Sequence, residues 1–127
     1  MNYWRHLALL VPLLLPFLAQ AASNSPFVNP DVVKAAVEIQ MSEEQSAEFR
    51  KIIGEFADSL GPAFSKLVQR TNPAHISRKW RTKRGRLVKD MNKKMAVVLT
   101  EEQYPKYERY VQVLLEKMDE QSAQRNR

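Results

Sequence analysis

Leu99-Thr100-Glu101-Glu102-Gln103 decides how this chain is read. It joins one amphipathic segment to the next, and it has an echo upstream, Met41-Ser42-Glu43-Glu44-Gln45. Both stretches run apolar, hydroxyl, acid, acid, glutamine. That is the chemistry of a helix start. The hydroxyl of Thr100 or Ser42 can accept from a first-turn backbone N–H, and Gln103 or Gln45 can reach back to the cap residue. The two acids sit where the helix dipole favours negative charge. Ser42 and Gln45 in one copy, and Leu99, Thr100 and Gln103 in the other, are therefore expected to be structural. Two such boxes, each opening a helix that bears aromatic residues, suggest a chain built from two related helix pairs.

Working outward, the 127 residues allow one domain at most. Residues 1–21 read as a secretory signal peptide. Arg5 and His6 precede an apolar run from Leu7 to Leu18, and Ala19-Gln20-Ala21 is a small-x-small cleavage site. The run is shorter than the roughly 20 residues a membrane span needs. The reading expects export to a periplasm. The chain has no cysteine, so neither a lipid anchor on cysteine nor a disulfide is available there. Residues 22–30, with Ser23, Asn24, Ser25, Pro26, Asn29 and Pro30, read as a flexible linker.

Residues 31–119 carry the helical signal. Asn29-Pro30-Asp31 opens a short helix to about Gln40 on Val32, Val33, Ala36, Val37 and Ile39. Ser42 caps a second, whose face is Phe49, Ile52, Ile53, Phe56 and Leu60. Gly61-Pro62 predicts a kink or a brief break, with Phe64, Leu67 and Val68 continuing the period to about Gln69. Asn72-Pro73 starts a third helix running to about Val98. Its stripe is Ile76, Trp80, Leu87, Met91 and Val98, with Val88 and Met95 to one side. Gly85 in mid-helix suggests a bend or close packing. Thr100 caps a fourth on Tyr104, Tyr107, Val111, Leu114 and Met118, and residues 120–127 lose the period and should fray. No segment reads as a strand. The expected fold class is all-α, with about four helices.

Net charge is +6, but it is concentrated. From Arg70 to Lys94 ten lysines and arginines face one acid, Asp90. This asymmetry concerns partners, not fold. Arg78, Arg86, Lys89 and Lys93 lie on the side of the third helix opposite its apolar stripe, whereas Arg84 falls inside the stripe. An unpaired buried arginine is costly. Either Arg84 snorkels to the edge, or the stripe is partly open to water as a concave surface offering both charge and apolar area.

The inventory for catalysis is thin. No paired acids stand in an apolar setting, and no glycine-rich phosphate loop or metal-spaced cluster is present. His75 is a lone histidine, and Met91 with Met95 reads as core filling before it reads as a soft-metal pair. The chain is read as no enzyme, with no metal and no cofactor. A basic helix with a tryptophan could contact nucleic acid, but export and the lack of a reading motif argue against that partner. The anionic partners of an envelope are lipopolysaccharide, phospholipid surfaces reached by peripheral membrane contact, and acidic stretches of unfolded proteins.

Exported, all-α, without cysteine, and with two hydroxyl-x-x-Gln boxes flanking a long basic helix, the chain resembles the Spy/CpxP (LTxxQ-motif) family of small periplasmic proteins. Leu99-Thr100-Glu101-Glu102-Gln103 matches the motif fully; Met41-Ser42-Glu43-Glu44-Gln45 has Met for Leu and Ser for Thr. The resemblance spans about Ile39 to Met118. It implies a bent, elongated helical hairpin that forms a cradle-shaped homodimer, and ATP-independent chaperone activity in envelope stress. Client binding is then expected on Arg78, Trp80, Arg81, Arg84, Arg86, Leu87, Lys89, Met91 and Lys93. The alternative is an accessory protein that docks one partner, such as an acidic sensor-kinase domain. The ligand-rich segments of metal-responsive relatives have no match here.

Overall fold

The structure, a computed structural model, describes residues 25–125. The expected signal peptide lies outside them. Four α-helices follow in order: α1 (Pro30–Glu38), α2 (Glu43–Arg70), α3 (Ile76–Val98) and α4 (Tyr104–Arg125), with short 3-10 turns at Pro26–Val28 and Pro73–His75. Among the described residues there is no strand, and the fold is all-α.

Local chemistry sets most of the helix ends. The Asn29 side chain accepts from Asp31 N at 2.9 Å, with Pro30 in the first turn of α1. Asn72 accepts from Ala74 N at 3.0 Å and opens the turn before α3. The end of the expected linker is ordered: Ser25 caps the Pro26–Val28 turn, and Pro26, Phe27 and Val28 are half-buried. At the other terminus α4 runs on to Arg125, past the point where fraying was expected. Gln40 has a φ of 58°, the left-handed position that closes α1.

The structure removes one alternative at each of two places, the break at Gly61-Pro62 in α2 and the close packing at Gly85 in α3. The helix α2 is unbroken across Gly61-Pro62. Pro62 removes one donor, yet the helix continues through it, and Leu60 and Leu67 stay half-buried. Gly85 is not a site of close packing, because a Cβ added there would meet nothing within 4 Å.

The chain divides into two compact units. One holds α1 and α4 from Pro105 onward; Val32, Ala35 and Ile39 are its buried side chains on the first side, and Tyr107, Tyr110, Val111 and Leu114 on the second. Tyr107 and Tyr110 stack with centroids 6.4 Å apart. Lys117 Nζ lies 3.3 Å from Asp31 and 3.3 Å from Glu120, and hydrogen bonds to these two carboxylates raise its pKa. The other unit, Gln40–Tyr104, is the antiparallel hairpin of α2 and α3, entered through one box and left through the other.

Candidate functional site

The two boxes meet at the end of the hairpin opposite the Pro73–His75 turn. In the first, Gln45 N donates to Ser42 Oγ at 3.2 Å and Ser42 N donates to Gln45 Oε1 at 3.0 Å. In the second, Gln103 N donates to Thr100 Oγ1 at 3.2 Å and Thr100 N donates to Gln103 Oε1 at 3.0 Å. Both are capping boxes. The regular helix nonetheless begins only at Tyr104, since Pro105 has no N–H to return to the turn before it.

The same glutamines then pair with each other. Gln45 Nε2 donates to Gln103 Oε1 at 2.8 Å, and Gln103 Nε2 donates to Gln45 Oε1 at 3.0 Å. The remaining amide hydrogens go to backbone: Gln45 Nε2 to Val98 O at 3.1 Å, and Gln103 Nε2 to Gln40 O at 3.1 Å. Each accepting carbonyl lies two residues before the cap of the opposite box. Every hydrogen-bonding position on both amides is filled. The network repeats itself under an offset of 58 residues. That offset carries Phe49 onto Tyr107, Ile52 onto Tyr110 and Phe56 onto Leu114, and all six are buried. The repeated boxes thus head helices with one burial pattern.

Away from this clasp, toward the turn, the hairpin is less covered, and this is its open end. Phe49, Ile52 and Phe56 on α2, with Met91, Met95 and Leu99 on the returning strand of chain, are buried. Among the described residues between Phe56 and Met91, none is. Phe64 and Val68 are each 43% exposed, and Leu60, Leu67, Ile76, Trp80 and Leu87 are half-buried. Phe64 meets Trp80 edge-on across the two helices, with centroids 5.1 Å apart. Near the border between the two regions, Lys94 Nζ sits 3.2 Å from Glu55 Oε2.

This open end is uniformly positive. From Gly61 to Lys89 the chain has nine lysines and arginines and no acid. Eight are exposed: Lys66, Arg70, Arg78, Lys79, Arg81, Lys83, Arg86 and Lys89; Arg84 is half-buried and not without a partner.

The residues expected to bind clients do not form one face. Trp80, Arg84 and Leu87 are half-buried on the side of α3 toward α2, while Arg78, Arg86, Lys89 and Lys93 are exposed on the side away from it. Arg81 and Lys83 lie at the two edges and border the apolar strip. Met91 is 3% exposed and belongs to the core, so it leaves the client-binding set. Met95, placed to one side of the stripe by the sequence, is fully buried. Periodicity marks a face, but burial also depends on how far the opposite helix covers it. Sequence reasoning counted Arg70 in the basic run and Phe64 and Val68 in an apolar period, but it passed over Lys66 and did not join these residues of α2 to α3 as one open end. The absence of any acid from Gly61 to Lys89 was the available signal.

His75 is exposed in the turn at the tip. Among the described residues no helix is long and apolar enough to cross a membrane. No protein-family model matches the chain, and no curated protein and no solved structure matches it either.

Proposed function

We propose that this protein is an ATP-independent, chaperone-like protein of the periplasm that holds partly unfolded clients at the open end of the α2–α3 hairpin during envelope stress. One observation carries the reading: half-covered apolar side chains, Phe64, Trp80 and Leu87, lie in a region of nine cations and no acid. Long-range attraction speeds encounter with acidic stretches of a client. Apolar contact then retains it, because uncovered apolar area gains from leaving water. Each contact is weak and unspecific in shape, which suits diverse clients. Arg81 and Lys83, at the edges of the strip, are the cations best placed beside the apolar residues, with Arg84 between them. The resemblance to Spy/CpxP proteins adds the export route and a homodimer.

The test is suppression of aggregation of several unrelated clients, at near-stoichiometric ratio and without ATP. Arg81→Glu with Lys83→Glu should reduce suppression several-fold while the helical circular dichroism stays unchanged. A second reading, docking to a single acidic partner such as a sensor-kinase domain, draws on the same single-signed charge. Failure with every client together with tight binding of one envelope protein would select it.

A further inference from the structure

We propose that the tip of the α2–α3 hairpin docks on anionic phospholipid bilayers. The reading concerns a partner of another class and does not rest on client binding. Its basis is the conjunction of two features at one end of the unit. The first is charge. Lys66 and Arg70 on α2 and Arg78 and Lys79 at the start of α3 are all exposed, and no acid lies between Gly61 and Lys89 to oppose them. A patch of this kind is attracted to an anionic leaflet, and the attraction fades within a Debye length. The second is a partly exposed aromatic and aliphatic group. Phe64 and Val68 are each 43% exposed, and Trp80, in edge contact with Phe64, is only half-buried. Helices that lie on a bilayer combine these parts: lysine and arginine on the polar side, Trp and Phe on the other. Tryptophan favours the headgroup level, where one end of the ring is dry and the other wet.

A purely acidic polypeptide, without apolar side chains of its own, satisfies the cations alone. A bilayer surface satisfies the cations and, one layer deeper, the rings. A second copy of the chain is disfavoured at this place, since two tips of the same sign repel.

The experiment uses the processed chain, recovered after export. Cleavage after Ala21 removes Trp4 and leaves Trp80 as the one tryptophan reporter. The probe is vesicles of about one part phosphatidylglycerol to three of phosphatidylcholine. Binding should shift Trp80 emission to the blue, weaken steeply with added salt, and be absent with pure phosphatidylcholine. Lys66→Glu with Lys79→Glu should lower vesicle affinity at least ~10-fold at unchanged helicity, and Phe64→Ser should reduce the emission shift. Equal binding to neutral vesicles, or undiminished binding by the charge-reversed variant, would overturn the proposal. So would binding of soluble polyglutamate that competes fully with vesicles and leaves Trp80 emission unmoved, since the site would then read charge without a bilayer. Aggregation suppression is measured in lipid-free solution, so either result stands apart from the other.

Discussion

The two ends of the α2–α3 hairpin are built from similar helix but differ in what covers them. At the box end, Phe49, Ile52, Phe56, Met91, Met95 and Leu99 are buried, and two glutamine amides lock the chain with all their hydrogen bonds made. At the tip nothing is buried, and the apolar residues that keep the helical period remain partly in water among nine cations. A continuous amphipathic pattern therefore does not ensure a continuous core. Burial is concentrated at one end, and the other is left as surface. Low local burial is also what permits local opening at modest free energy.

The largest effect that would break this contrast is in the core. Met95→Ala should cost about 2–5 kcal/mol, read by denaturant unfolding, because its side chain is fully buried. Leu67→Ala, on the same kind of helical stripe at the open end, should cost about 1 kcal/mol or less. Similar losses at both would show that the tip is packed as tightly as the clasp.

Next comes the clasp itself. Gln103→Ala strips the partner from Gln45, Thr100 N and Gln40 O at once, and should cost about 1–3 kcal/mol. Gln45→Ala should cost a similar amount. The double variant should cost clearly less than the sum, since each single change already breaks the shared pair. Additivity would mean that the two boxes act as separate caps.

The repeat can be sharpened by pH. Under the offset that aligns the boxes, Tyr110 is the counterpart of Ile52, so only the second copy can titrate at that position. Burial holds the Tyr110 hydroxyl well above the usual phenol range. The unfolded phenol ionises near pH ~10. The stability tied to the neutral hydroxyl is then complete below that pH and is lost as pH rises above it. Stability should fall by up to ~1.4 kcal/mol per pH unit in that range, and Tyr110→Phe should flatten the fall in an alkaline unfolding series.

The smallest effect is a gain. Gly85→Ala, in the open half of α3, should raise stability by roughly 0.5–1 kcal/mol in thermal or denaturant unfolding. A loss would mean that space around Gly85 is needed after all.

Much of the fold was legible because its signals are local. Asn29 and Ser42 cap helices where the sequence places them, while Asn72 and Thr100 cap the short turns that precede α3 and α4, so those helices begin at Ile76 and Tyr104 rather than at the cap. In each case a hydroxyl or amide acts on a backbone N–H two or three residues away. The three-and-four spacing of Phe49, Ile52 and Phe56, and of Tyr107, Val111 and Leu114, marks buried faces, because side chains at those intervals share one side of a helix. The charge of the third helix was legible too, although its cations divide between the edge of the apolar strip and the far side of α3.

Tertiary structure decided the remainder. That Gln45 and Gln103, 58 residues apart, grip each other depends on the hairpin bringing two helix starts together. No property of either box alone specifies it. That Met95 is core, Gly85 faces open space, and Phe64 and Val68 stay near half exposure is set by where the opposite helix lies, and periodicity does not encode that. The sequence by itself determined where helices begin and which face of each is apolar, through interactions that span one turn. How deeply each face is covered arises between helices distant in sequence, and only their packing decided it.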